Sequence, residues 1–135
     1  MPKKKSTLNE NVEKKKRNLK RNRQRGHDFE RKIAQELRKL GFNVVTSRSE
    51  SKSMDDKKID LIDTNDKLPC YLQLKATIKT PDYFGINKEC PLKDKPFVVL
   101  WNKIKPTEST FRSEGTVAII PKEFFYELIK HYGKV

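Results

Sequence analysis

Residues 70–77, with the sequence CYLQLKAT, decide the fold and the chemistry predicted for this chain. Apolar and polar side chains alternate along this run, as in a strand that buries one face. Leu72 and Leu74 then face one way, while Gln73 and Lys75 face the other. A lysine in a half-buried strand needs an anionic partner, because an unpaired buried ammonium group is costly.

The predicted partner of this lysine is Asp60. The run from 59 to 63 is typical of a strand, and residues 64–67 have the composition of a turn, so the two strands are predicted to form a hairpin. In that hairpin Asp60 lies close to Gln73 and Lys75. The carboxylate of Asp60 and the amide oxygen of Gln73 are hard donors of the kind that Mg²⁺ prefers.

A second acid comes from the preceding helix. Apolar residues repeat at helical spacing from about His27 to Leu40, which predicts a helix that Gly41 ends. Glu30 lies beside its apolar stripe, near the core. Hard oxygen ligands next to an ammonium group suit phosphodiester hydrolysis assisted by a divalent cation. The predicted catalytic residues are Glu30, Asp60, Gln73 and Lys75, of which the first three are the predicted metal ligands.

The remaining patterns give the architecture. They predict a strand at 42–46, a loop at 47–58, a long loop with at most one helical turn at 78–96, strands buried on both faces at 97–101 and 116–120, and a helix from Pro121 to about Tyr132. The order α-β-β-β-loop-β-β-α predicts an α/β fold, in which helices flank a mixed sheet.

Positive charge is concentrated at the N-terminus. Residues 1–25 hold eleven of the 31 Lys and Arg residues but two of the 18 acids. With few apolar residues, this segment is predicted to be a flexible basic tail, and residues 26–135 the folded domain. The tail either keeps the protein in solution or binds nucleic-acid phosphates. The cations predicted to bind nucleic acid are Lys14, Lys15, Lys16, Arg17, Arg21 and Arg25.

Length and composition exclude several classes of protein. A chain of 135 residues holds one small domain. It has no apolar run that could span a bilayer, and its N-terminus lacks the apolar segment of a signal peptide, so we expect an intracellular protein that is not secreted and has no membrane partner. Cys70 and Cys90 lack the spacing of a zinc site and are expected to be reduced thiols.

These motifs resemble the PD-(D/E)XK nuclease superfamily, and within it the archaeal-type Holliday junction resolvases. The resemblance is carried by RGHDFERKIAQELRKLGFNVVTSRSES, KKIDLID and CYLQLKAT, in that order. It implies a restriction-endonuclease-like core, Mg²⁺ as cofactor with Mn²⁺ as a substitute, no small-molecule cofactor, branched DNA as partner, and a homodimer. Glu30, Asp60 and Lys75 match the family's positions, and Ser49 or Ser51 matches its loop serine. With Arg48, both serines are predicted to contact nucleic acid.

One departure from the family pattern concerns Gln73, which stands where an acid is usual. It removes one unit of ligand charge, although some branches of the superfamily carry Gln there. The rival hypothesis is therefore a non-catalytic nucleic-acid-binding protein that keeps the nuclease fold, or a basic structural component of a larger assembly such as a virion. The enzyme would act in the cytoplasm or nucleoid, or in a host cytoplasm if it is viral.

Each site residue also has a purely structural explanation. Glu30 could pair with a cation on a solvated helix face, and Asp60 could cap the hairpin or pair with Lys58. Lys75 could extend into solvent from the edge of the sheet. Gln73 could be an ordinary polar residue of a strand.

Overall fold

A mixed β-sheet organises the chain, for which a computed structural model describes residues 2–50 and 52–133, with the side chains of residues 10–17, 19–48 and 52–133. The helices are α1 (Pro2–Lys39), α2 (Ser47–Glu50), α3 (Lys52–Asp56), α4 (Tyr83–Glu89) and α5 (Lys122–Tyr132). The strands are β1 (Val44–Thr46), β2 (Leu61–Asp63), β3 (Tyr71–Thr77), β4 (Phe97–Pro106) and β5 (Phe111–Ile119).

The strands lie in the order β1-β2-β3-β4-β5. Neighbouring strands are antiparallel except β3 and β4, which are parallel. A parallel pair needs a crossover connection, and α4 lies on the one between β3 and β4. The predicted α/β fold with a mixed sheet is thus confirmed, and it is consistent with a restriction-endonuclease-like fold. The predicted β2–β3 hairpin is also confirmed, with Leu61 opposite Leu72.

Apolar side chains cover both faces of the sheet. On one face Phe29 and Ile33 of α1 and Phe124 of α5 pack with Leu72 and Leu74 of β3. On the other face a second cluster forms around Ile59, Cys90, Phe97 and Val99, and Met54 and Ile86 pack against it. The strand β3 is therefore sandwiched between helices, and its polar residues Gln73 and Lys75 lie on the side of the second cluster.

The first helix is much longer than predicted. It begins at Pro2, not near His27, and runs without interruption through Gly26. The reason is local: more than half of the residues before Gly26 are Lys, Arg, Glu or Gln, whose long side chains favour helix even without a core to pack on. All described side chains from 10 to 24 are exposed, so this part of α1 does not pack into the core. The helix ends as predicted, with Gly41 at a φ of 102°.

Three other predicted elements differ from the structure. The predicted loop 47–58 contains α2 and α3, which are too short to produce an apolar period, and the segment 78–96 contains the two-turn helix α4. The final strand was predicted to be buried on both faces, but residues 111–118 are exposed. As the last strand of the sheet, β5 has a neighbour on one side, and its apolar residues reflect β propensity and not burial. Within residues 2–50 and 52–133, no helix is long and apolar enough to cross a membrane.

Candidate active site

The carboxylate of Asp60 lies between β2 and β3. Its Oδ2 accepts a hydrogen bond of 2.8 Å from the backbone amide of Leu74, the residue between Gln73 and Lys75. The backbone amide of Asp60 donates to the carbonyl of Leu72 over 2.8 Å. The hairpin thus brings Asp60 to the two polar residues of β3, as predicted from the sequence. Lys58, its alternative partner, forms an ion pair with Glu89 over 3.5 Å instead.

The carboxyl group of Asp60 is a weak acid in this environment. Burial raises its pKa from 3.8 to about 7, and the negative charges of Glu30 and Asp55 add to that effect. The hydrogen bond from Leu74 and the charge of Lys75 act in the opposite direction but are outweighed. A bound cation would stabilise the ionised form of a carboxylate that is desolvated beside two other acids.

The side chain of Gln73, the residue before Leu74 on β3, has an unpaired oxygen. Gln73 is 6% exposed, and its Oε1 has no hydrogen-bond partner among the described residues. A buried amide oxygen without a donor is costly, and such groups are rare unless water or an ion is bound to them. Gln73 is therefore not an ordinary polar strand residue facing solvent.

Glu30 faces the core edge and forms a long-range ion pair. Its Oε2 lies 3.4 Å from Nη2 of Arg48, and its side chain is 15% exposed. It does not pair with a cation on a solvated helix face, as the structural alternative proposed. Arg48, predicted to contact nucleic acid, pairs with this carboxylate, so the predicted metal ligand Glu30 and the predicted nucleic-acid contact Arg48 form one ion pair.

Lys75 lies on the central strand of the sheet and is half-buried. It cannot extend from a sheet edge, because β2 and β4 flank β3 on both sides. Its charge acts on the carboxyl of Asp60.

The segment after β1 contributes residues that the sequence analysis did not place. Ser47 is fully buried, its amide donates to the carbonyl of Asp60 over 2.8 Å, and its hydroxyl donates to Oδ1 of Asp55 over 3.4 Å. The position of Ser47 immediately after a β-branched strand was the available signal. Of the predicted serines, the side chain of Ser49 lies outside the described side chains, and Ser51 lies outside the described residues.

The donor set fits a divalent cation with oxygen ligands, although within residues 2–50 and 52–133 no three His, Cys, Asp or Glu side chains form a metal-binding group. Two features explain why no such group forms among these residues. Residue 73 is an amide and not an acid, and the carboxylate of Glu30 is directed towards Arg48. The fit is supported by the unpartnered Oε1 of Gln73 and by the raised pKa of the neighbouring Asp60.

The chain matches the model of a family described as archaeal Holliday junction resolvase over residues 21–90, just over half of its length. It belongs to this family. The resolvase family is a PD-(D/E)XK nuclease family, so the recognition made from the sequence is confirmed. It consists of junction-resolving endonucleases that generally use a divalent metal, bind DNA junctions and typically act as dimers. No curated protein and no solved structure matches the chain.

The resolvase match includes Glu30, Asp60, Gln73 and Lys75, but it ends before β4 and starts after Lys14–Arg17. The four predicted site residues thus belong to the family region. Of the basic residues of α1, Arg21 and Arg25 lie inside the matched region, and Lys14 to Arg17 lie before it.

Four of the basic residues share one face of α1. Lys14, Arg17, Arg21 and Arg25 are spaced by three, four and four positions, which aligns them along the helix. Lys14, Arg17 and Arg21 line one shallow depression on this face. Lys15 and Lys16 lie about 100° or more round the helix from it. We call the aligned residues Lys14, Arg17, Arg21 and Arg25 the basic stripe.

The raised pKa of Asp60 predicts an unusual pH dependence of stability. The folded chain holds this proton up to a pH of about 7, whereas an unperturbed aspartate releases it near pH 3.8, so the contribution of Asp60 to stability falls as the pH rises between these values and is constant above them. We expect Asp60→Asn, which cannot ionise, to melt at a higher temperature than the parent at pH 8 and at a similar temperature near pH 4. Thermal denaturation in EDTA measures both.

Asp63, at the end of β2, is the matched control. Desolvation acts to raise its pKa, but hydrogen bonds from the amides of Asn65, Lys67 and Leu68 outweigh that effect and lower it. Asp63→Asn should therefore melt at a lower temperature than the parent at pH 8. Equal melting temperatures for Asp60→Asn and the parent at pH 8 would contradict the pKa assignment.

Proposed function

We propose that this protein is a Mg²⁺-dependent endonuclease that cuts phosphodiester bonds in branched DNA. The proposal is carried by the desolvated Asp60 carboxylate, which lies within electrostatic reach of Lys75 and Glu30 and accepts the amide of Leu74, together with the unpartnered Oε1 of the adjacent Gln73. A nuclease site needs these groups, whereas a domain that only binds nucleic acid gains nothing from burying them.

The roles of the residues follow from their chemistry. Asp60, Gln73 and Glu30 would hold the cation, which when bound lowers the pKa of a water molecule and offsets charge on the phosphate. Lys75 places a positive charge beside this site, where it stabilises the negative charge that develops on the phosphate. Asp55, fixed by Ser47, adds negative charge next to Asp60 and strengthens the attraction of the site for a cation.

DNA binding is proposed to involve surfaces outside this site. Residues 1–25 supply the basic stripe, whose cations can displace counterions from several phosphates at once. Arg48, Ser49 and Ser51 stay proposed nucleic-acid contacts at the edge of the site. The division into a basic segment of residues 1–25 and a nuclease domain of residues 26–135 is a division of function, because α1 crosses it without a break.

A homodimer would allow two strands of a junction to be cut in related positions. Exposed apolar side chains support an interface on α5, where Phe125, Tyr126, Ile129 and Tyr132 are each at least 49% exposed. The open edge of β5 supports the same proposal, because an unpaired edge is suited to pairing with another chain.

Cleavage of a defined junction tests the proposed function. End-labelled four-way junction and linear duplex of the same arm sequence are incubated with the protein in Mg²⁺, Mn²⁺ or EDTA. We expect nicks in the junction with either metal, and intact DNA in EDTA. A protein that binds the junction but leaves it intact in both metals is the non-catalytic nucleic-acid-binding protein, and the proposal would be wrong.

The departure at residue 73 gives a prediction about metal affinity. Gln73→Glu restores one unit of ligand charge, so we expect half-maximal cleavage at a Mg²⁺ concentration lower by on the order of tenfold. Without metal, the new charge lies near Asp60 and should lower the melting temperature.

The control for this variant is Gln73→Leu, which fills a similar volume with an apolar side chain but has no oxygen to bind a metal. It should fold in EDTA and show no stabilisation by Mn²⁺ in a thermal shift assay. If the parent and Gln73→Leu respond equally to Mn²⁺, Gln73 is not a ligand.

A further inference from the structure

A groove separates α1 from the start of β5. It has a volume of about 590 Å³, large enough to admit a nucleobase and its sugar. The residues that line it are Arg21, Asn22 and Arg25 of α1, Ala76 to Lys79 at the end of β3, and Phe111 of β5. Phe111 lies outside the part of the chain that matches the resolvase family.

The aromatic ring of Phe111 is held in this groove by a cation. The guanidinium carbon of Arg25 lies 4.4 Å from the centre of the ring, and Nη1 of Arg25 also bonds to Oδ1 of Asn22 over 3.0 Å. Phe111 nevertheless remains 43% exposed. The contact therefore fixes the side chain in place without covering it.

The lining of the groove combines three cations with an apolar floor. Arg21, Arg25 and Lys79 provide the charge, while Ala76, Ile78 and Phe111 provide the apolar surface. No acid is among the described side chains that line it. The complementary ligand has an anionic group next to a flat apolar ring, which describes a nucleotide. A base inside a duplex is already stacked and paired, so the ligand is an unpaired nucleotide.

The groove starts one residue beyond Lys75 along β3, on the side of the sheet that α1 covers. Its floor is formed by the residues that directly follow Lys75 on β3, and its wall belongs to the basic stripe. We propose that this groove binds an unpaired nucleotide of the DNA substrate, with the base against Phe111. The inference rests on the proposed function, because it assigns this nucleotide to the branched DNA that the site would cut.

The test measures DNA binding in EDTA, so that cleavage is not needed. The probes are a linear duplex and the same duplex with a three-nucleotide single-stranded gap that contains 2-aminopurine. We expect the parent to prefer the gapped DNA and to quench the 2-aminopurine fluorescence by stacking. Phe111→Ala should weaken binding to the gapped DNA by about tenfold, leave the duplex affinity unchanged, and abolish the quenching.

Two further variants keep this test decisive. Phe84→Ala removes an exposed ring of α4, 75% exposed and not part of the groove, and should leave both affinities unchanged. Phe111→Leu retains an apolar side chain on β5, so it should preserve the melting temperature but still lose the quenching. Equal affinities of the parent and Phe111→Leu for the gapped DNA, with quenching retained, would overturn the proposal.

The two proposals fail separately. A parent that cleaves junctions while Phe111→Leu retains gapped-DNA binding and quenching contradicts the groove assignment alone. A parent that quenches 2-aminopurine in the groove but leaves junctions intact in Mg²⁺ and Mn²⁺ contradicts the nuclease proposal alone.

Discussion

An Asp60→Asn variant should cleave a four-way junction roughly 1000-fold more slowly than the parent, while it melts at a higher temperature at pH 8. The loss follows because the amide keeps the shape and the hydrogen bond from Leu74 but removes the charge that would hold the cation. The melting temperature rises because the parent carboxylate, with a pKa of about 7, is ionised at pH 8, and this desolvated charge lowers the stability of the folded state. Single-turnover cleavage in Mg²⁺ and thermal denaturation in EDTA measure the two effects.

The combination of these effects separates a catalytic role from a structural one. A residue that only supports the hairpin would lose stability and activity together. Asp63→Asn serves as the control, because Asp63 accepts backbone hydrogen bonds at the end of the same strand and lies outside the proposed site. It should lower the melting temperature and leave the cleavage rate of the folded protein unchanged.

Lys75→Ala removes the positive charge of the same site. We expect cleavage to fall by about 100- to 1000-fold, because a positive charge that faces the developing negative charge is lost. Lys67→Ala, in the exposed turn between β2 and β3, is the matched control and should cleave at the parental rate. If Lys75→Ala and Asp60→Asn both retain the parental rate, the catalytic site lies elsewhere.

The candidate site could be predicted because its parts are local patterns joined by one hairpin. The alternation in β3 places Gln73 and Lys75 on one face, and the short turn brings Asp60 to them. The helical period of α1 placed Glu30 near the core in the same way. Each of these inferences depends on a period of two residues for a strand or 3.6 for a helix, or on a short turn between neighbouring strands. These patterns can be identified from the sequence alone.

The remaining features depend on contacts that no local pattern encodes. The partner of Glu30 is Arg48, 18 residues away, and the sequence does not specify which cation reaches a given acid. Asp55 lies in the predicted loop 47–58, and its position near the site depends on a contact with the buried Ser47 that no period in the sequence indicates. The apolar run in β5 was interpreted as buried, although a strand at the edge of a sheet has the same composition when its faces are open.

The N-terminal part of α1 was not predicted, because its low apolar content was interpreted as lack of structure. Charged side chains with long aliphatic stems favour helix even where they bury nothing. This matters for function, since a helix aligns cations that a flexible chain would scatter. The basic segment therefore presents a face with a specific geometry, and that geometry can be tested.

Removing the basic stripe should reduce DNA affinity far more than removing an equal charge from the rest of the helix. The triple variant Lys14→Gln, Arg17→Gln and Arg21→Gln should weaken binding on the order of 100-fold at 0.1 M salt, because each lost phosphate contact removes about 0.9 from the slope of log K against log salt. We expect the slope to become less steep by between 2 and 3. Titrations of a labelled junction at several salt concentrations give both quantities.

The matched control removes the same charge from other faces of α1. Lys15→Gln, Lys16→Gln and Arg23→Gln together also change the net charge by three units but should alter the slope by less than one, since these side chains point away from the stripe. Glutamine has nearly the helix propensity of lysine and arginine, so circular dichroism should show equal helix content in both variants. Equal losses of affinity would mean that the segment acts as a diffuse cation, and the helical face would then have no role in binding DNA.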